Sequence, residues 1–171
     1  QKDKDDKLGI LDVRVLLNNK EQIDIEIQVT SSEYWVERTL FYLGKMFVDQ
    51  LKPGEDYQKL EKCIHVGILN FTLFDDEEYY SRFHFWSDQG RKMYSDKYEI
   101  HTLELPKLAK HEYPETELLK WLQFINAETK EEFEMAAGKS EYIKKAYEDL
   151  NRISADEEKR LEYEARERAI R

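Results

Sequence analysis

Residues 22–29, Gln22-Ile23-Asp24-Ile25-Glu26-Ile27-Gln28-Val29, alternate polar and apolar at every step. A period of two belongs to a β-strand, whose successive side chains point to opposite faces. Ile23, Ile25, Ile27 and Val29 therefore share one face, and Asp24, Glu26 and Gln28 the other. The preceding run from Leu8 to Leu17 is rich in β-branched and apolar residues and reads as a partner strand. Asn18-Asn19-Lys20 between them reads as a tight turn, so the two strands make an antiparallel hairpin. With a three-residue loop, Leu17 pairs with Glu21 and Asp12 with Glu26. A slip of two residues would set Asp24 or Gln28 opposite Asp12 and leave all of them on one face.

Thr30-Ser31-Ser32 supplies N-cap residues, and the spacing predicts a helix over about 32–51. Val36, Leu40, Leu43, Phe47 and Leu51 form one stripe at helical spacing, expected to be buried. Arg38, Tyr42, Lys45 and Asp49 lie along a different face, and Lys52-Pro53-Gly54 ends the helix. Residues 63–71 are nearly all apolar, as expected of a parallel strand covered on both sides. Hairpin, helix and buried strand thus give a β-α-β unit in a mixed sheet. Residues 82–86 and 98–105 read as two further strands joined through Asp88-Gln89-Gly90. Beyond Pro106 the chain turns helical, with helices expected at 114–125, 128–137, 139–153 and 154–170 and breaks at Gly138 and Ser154. The expected fold class is α/β. A domain over 1–125 carries the sheet, and a helical extension over 126–171 packs on it.

Composition excludes several classes. An aromatic fraction of 13% and a hydrophobic fraction of 40% are far from a disordered chain. No apolar run approaches the roughly 18 residues of a membrane span, and residues 1–7 lack the apolar stretch of a signal peptide. The single cysteine, Cys63, rules out an intramolecular disulfide framework and a cysteine-rich zinc site, and points to a reducing, cytoplasmic setting. A net charge of −10 argues against coating nucleic acid by bulk charge, though a local basic strip remains compatible with it.

The polar hairpin face carries the chemistry. Side chains opposed on one face have Cβ atoms about 4.5–5.5 Å apart, so Asp12 and Glu26 would repel unless a cation sits between them. Oxygen ligands at that separation suit Mg²⁺, which polarises phosphodiesters and activates water. The alternative is an outer, solvated sheet face. His65, Cys63 and His84 show no metal-ligand spacing, and Cys63 in an apolar strand reads as core. His101 and His111 have no pattern around them, and no glycine-rich phosphate loop is present. Tyr34, Trp35 and Tyr42 offer base-stacking surfaces, but aromatics at helical spacing also serve packing.

The residues taken in order form a recognisable series. It starts with Gly9-Ile10-Leu11-Asp12-Val13, a hairpin and Ile25-Glu26-Ile27-Gln28. A helix follows with Glu37-Arg38, Phe41-Tyr42 and Asp49-Gln50, then Gly54-Glu55-Asp56-Tyr57 and Ile68-Leu69-Asn70-Phe71. Ala146-Tyr147-Glu148-Asp149-Leu150 and Ser154-Ala155-Asp156-Glu157-Glu158 close it. This series resembles the PD-(D/E)xK nuclease family transposases, also called recombination-promoting nucleases, over nearly the whole chain.

The resemblance implies a restriction-endonuclease-like core. It also implies a metal-dependent DNA endonuclease in which Asp12 and Glu26 bind Mg²⁺ or Mn²⁺. The family's usual lysine position falls on Gln28, whose neutral amide orients water or phosphate but supplies no charge. Arg38 and Lys45, seven residues apart on one helix face, are the expected contacts to DNA phosphates. The superfamily core opens with a helix and a strand ahead of the aspartate, and residues 1–7 show neither. The expected partner is DNA, with no membrane and with a homodimer for double-strand cutting. The competing reading is a non-catalytic interaction or assembly protein on the same fold.

Overall fold

The structure, a computed structural model, describes the backbone of residues 10–18 and 20–170 and the side chains of 13–18, 20–159, 161, 162 and 165. The expected start of the first strand at Leu8 and the Asn19 turn position lie outside these residues. So does the Asp12 side chain, although its backbone pairing is described.

Five strands, β1 (Ile10–Leu17), β2 (Glu21–Gln28), β3 (Cys63–Leu69), β4 (Tyr80–Trp86) and β5 (Met93–Glu104), form one sheet in the order β1-β2-β3-β5-β4. The outer pairs, β1–β2 and β4–β5, are antiparallel, while β2–β3 and β3–β5 are parallel. The hairpin register pairs Leu17 with Glu21 and Asp12 with Glu26, the pairing expected of a three-residue loop. Asn18 takes a positive φ of 50° in the turn, a conformation asparagine tolerates better than most residues. Both C-terminal strands are longer than their apolar content suggests, β4 starting at Tyr80 and β5 at Met93.

Helix α1 (Trp35–Val48) packs on β3. It is shorter than expected, and its N-cap is Tyr34, with no side-chain cap from Thr30, Ser31 or Ser32. Its buried stripe also differs. Trp35, Thr39, Leu43 and Met46 face the sheet, whereas Val36 and Leu40 are about half exposed. The cause is Trp35. Its ring lies against Gly67, where an added Cβ would stand 2.6 Å from Cζ2. Docking so large a ring there turns the helix away from the register that the aliphatic stripe favours. Val36 and Leu40 instead line an apolar cavity of about 290 Å³ between α1 and the β4–β5 edge. Leu43, Met46 and Cys63 form a core cluster with Phe47, Tyr98 and Ile100 against it. Full burial of such a side chain is worth about 1.5–3 kcal/mol.

The far face of the sheet carries its own ionic network. Glu99 accepts from His84 Nε2 at 2.9 Å, Lys62 Nζ at 3.3 Å and the His101 ring, whose Nδ1 lies 2.8 Å from the Tyr80 hydroxyl. Burial alone would raise the Glu99 pKa. The bonds from His84, His101 and Lys62 outweigh it and hold the carboxyl at about 2.

The chain divides into two compact units at Glu112/Tyr113. The second holds α2 (Glu117–Ile125), α3 (Lys130–Ala137) and α4 (Glu141–Ile170). Thr116 caps α2, and Thr129 with Glu132 forms a capping box on α3. Gly138 ends α3 as expected, but Ser154 breaks nothing. α4 runs straight through it, because a serine inside a helix costs only a few tenths of a kcal/mol relative to alanine. No described helix is long and apolar enough to cross a membrane.

Two measurements test this packing. Gly67→Ala forces its new Cβ against Trp35, and a loss of about 1–3 kcal/mol should appear in urea unfolding. For Glu99, a folded pKa near 2 against an ordinary 4.5 means its contribution is complete above pH 4.5 and is lost as pH falls toward 2. The melting temperature of Glu99→Gln should therefore fall less steeply than that of the unsubstituted chain over this interval.

Candidate metal centre

The parallel pairing of β2 with β3 sets Asp24 beside His65 and Glu26 beside Gly67. The hairpin sets Arg14 beside Asp24 and Asp12 beside Glu26. Since α1 covers this face, the alternation in β2 is inverted relative to a simple amphipathic strand. Asp24, Glu26 and Gln28 are only 4%, 3% and 2% exposed, while the Ile23, Ile25 and Ile27 face is half-buried. This overturns the solvated-face alternative.

Buried carboxylates need partners, because an uncompensated charge in the interior is costly. Each finds two. Asp24 directs Oδ1 toward Arg14 Nε at 3.8 Å and Oδ2 toward His65 Nε2 at 3.7 Å. Glu26 directs Oε1 toward Arg38 Nη2 at 2.8 Å and Oε2 toward His65 Nε2 at 3.4 Å. Thus one oxygen of each carboxylate meets a guanidinium and the other turns to a shared point beside the imidazole. One ligand atom from each of Asp24, Glu26 and His65 lies within 4.8 Å of the others. Two carboxylate oxygens and an imidazole nitrogen, all buried and converging, are a donor set that fits a divalent cation. The guanidiniums face the outer oxygens as ion-pair partners.

The other residues singled out from the sequence fall in different places. The Gln28 amide donates from Nε2 to the Thr30 carbonyl at 2.9 Å, and its Oε1 is buried without a hydrogen-bond partner. Arg38 belongs to the centre and also lies over the Tyr42 ring, 5.7 Å from its centroid. Lys45 pairs with Asp49 at 3.0 Å on the exposed part of α1. Trp35 is a packing residue, meeting the His65 ring edge-on at 5.8 Å, whereas Tyr34 is exposed. Cys63 is buried and bonded to Gln50 Nε2 at 3.2 Å, and burial pushes its thiol up to about 11, unsuited to a nucleophile. His84 and His101 are engaged by Glu99 on the far face, and His111 lies 3.9 Å from Glu77.

Sequence reasoning set His65 aside for want of metal-ligand spacing and left Asp24 without a role. No local motif links them, because they are 41 residues apart and meet only through the β2–β3 register. One signal was present: a histidine in the middle of an otherwise apolar strand, flanked by Ile64 and Val66.

Searches of curated proteins and of solved structures find no match. A family model does match, and it spans residues 1–171 under the description PD-(D/E)XK nuclease family transposase. The five-stranded mixed sheet with its helices is consistent with the restriction-endonuclease-like core of that family. Acidic residues converging on a hairpin and its neighbouring strand accord with it as well, and the chain belongs to the PD-(D/E)XK nuclease family transposases.

Proposed function

We propose that this chain is a metal-dependent DNA endonuclease that hydrolyses phosphodiester bonds in a recombination or transposition setting. The observation that carries the reading is the buried acidic pair Asp24 and Glu26 converging with His65, with Asp12 opposite Glu26 in the hairpin register. In this reading Asp12 and Glu26 hold Mg²⁺ or Mn²⁺. A divalent cation there lowers the pKa of water and neutralises charge developing on phosphate. Asp12, Glu26 and Gln28 are the catalytic residues.

The protein groups divide the remaining work. The Gln28 amide is anchored through Nε2, so its bare Oε1 is left to accept a hydrogen bond from water and orient it. Gln28 carries no charge, and Arg38 is the cation held against Glu26. Its planar guanidinium can hydrogen-bond Glu26 and a phosphate oxygen together, a geometry that a point charge matches less well. Lys45 lies two helical turns further along α1 and contacts a neighbouring phosphate. The metal centre and its sheet lie within residues 1–125, with 126–171 as a helical extension that shares its compact unit with α2. Cutting both strands takes two centres, hence a homodimer. The single buried thiol, Cys63, accords with the cytoplasm.

Nicking of supercoiled plasmid in Mg²⁺, Mn²⁺ or EDTA tests the activity. Cleavage should require metal and be lost in Asp12→Ala and in Glu26→Ala. Metal-independent cutting, or cutting unchanged in both variants, would instead favour the non-catalytic assembly reading or a contaminant. Arg38→Met should reduce cleavage by about 10²–10³-fold. It should also cost about 1–3 kcal/mol of stability, because Glu26 loses its shortest ionic contact. Arg38→Lys should recover part of both, as read by single-turnover cleavage and urea unfolding.

A further inference from the structure

The far-face network and the metal centre treat histidine differently. Glu99 closes on His84 at 2.9 Å, the distance of a charge-assisted hydrogen bond. His65 Nε2 makes only a long hydrogen bond to Glu26 Oε2, 3.4 Å, and lies 3.7 Å from Asp24 Oδ2. These are long for bonds between an imidazolium and a carboxylate, which shorten to about 2.7–2.9 Å. They are close to the spacing of atoms that share a cation. Ligands about 2.0–2.2 Å from one ion, at angles near 90–110°, stand about 2.8–3.6 Å apart.

The imidazole is also costly where it is. His65 is 1% exposed, and its Nδ1 has no hydrogen-bond partner. A buried polar nitrogen left bare is uncommon and costs about 1–3 kcal/mol. For packing alone, Leu or Val would fill the position without that cost. The surroundings fix the ring. Trp35 meets it edge-on, and Trp35 is itself seated where Gly67 has no side chain.

We propose that His65 is a further direct ligand, through Nε2, of the cation held by Asp12 and Glu26, with Asp24 converging on the same point, and that it sets the choice of metal. This rests on the metal-dependent reading above and adds to it a nitrogen donor and a selectivity. Oxygen ligands suit Mg²⁺ and Mn²⁺ alike, whereas imidazole favours first-row transition ions over Mg²⁺. The centre is therefore a Mn²⁺-class site, and His65 is the residue that makes it one.

The test uses Mn²⁺ itself as the probe, on the full chain without DNA. Electron spin-echo spectra of the Mn²⁺-loaded protein should show coupling to an imidazole ¹⁴N, and that coupling should vanish in His65→Asn. Titration calorimetry should show the ratio of Mn²⁺ to Mg²⁺ affinity falling at least about tenfold in the same variant, mostly through weaker Mn²⁺ binding. If His65→Asn does not fold, His65→Gln replaces it, and the wild-type spectrum alone still decides whether any nitrogen is bound. Mn²⁺ binding without nitrogen coupling, or coupling that survives His65 replacement, overturns this inference and leaves the nuclease reading standing. A wild-type chain that binds neither ion overturns both.

Discussion

Two carboxylates two residues apart on one strand face, both under a helix, form the constraint around which this unit is built. Asp24 and Glu26 are nearly inaccessible to water. Moving an unpaired carboxylate to such a place costs several kcal/mol. The fold meets that cost from three separate segments: Arg14 from β1, His65 from β3 and Arg38 from α1. The placement of α1 is therefore tied to the electrostatics of the sheet. The Trp35–Gly67 contact decides how the helix sits, and the helix then delivers the Arg38 guanidinium to Glu26.

The two sheet faces carry buried acidic groups in different settings. On the far face Glu99 is held by two histidines and a lysine at hydrogen-bonding distance, and it is saturated. On the α1 face each carboxylate has one oxygen toward an arginine and the other toward one shared imidazole, at 3.4 Å for Glu26 and 3.7 Å for Asp24. Gln28 adds a bare acceptor two residues along the same strand. An unpartnered acceptor in a buried polar cluster is expensive.

Much of the architecture was legible because it depends on local periodicity. The period-two run at 22–29 gave the strand, its turn residues gave the hairpin, and the apolar run at 63–69 gave the parallel neighbour. Errors arose where a distant contact outweighed a local rule. The aliphatic stripe through Val36 and Leu40 is a sound helical pattern, but Trp35 needed the Gly67 surface more. The cap residues at 30–32 went unused because the helix starts later, and Ser154 was tolerated inside α4 because nothing there stops a helix from continuing.

The sequence by itself determined the hairpin, the face that Asp12, Asp24, Glu26 and Gln28 share, and the family, since these follow from alternation and the order of short motifs, while the structure fixed the register between the two strands that loop length allowed. Tertiary structure alone decided which face of β2 would be buried, because alternation is symmetric and either face can meet the helix. It also brought Asp24 and Glu26 together with His65, from a strand 41 residues away. Spacing along a chain cannot report a meeting of that kind. Such a meeting is made by parallel strand pairing, which brings together residues separated by an entire crossover.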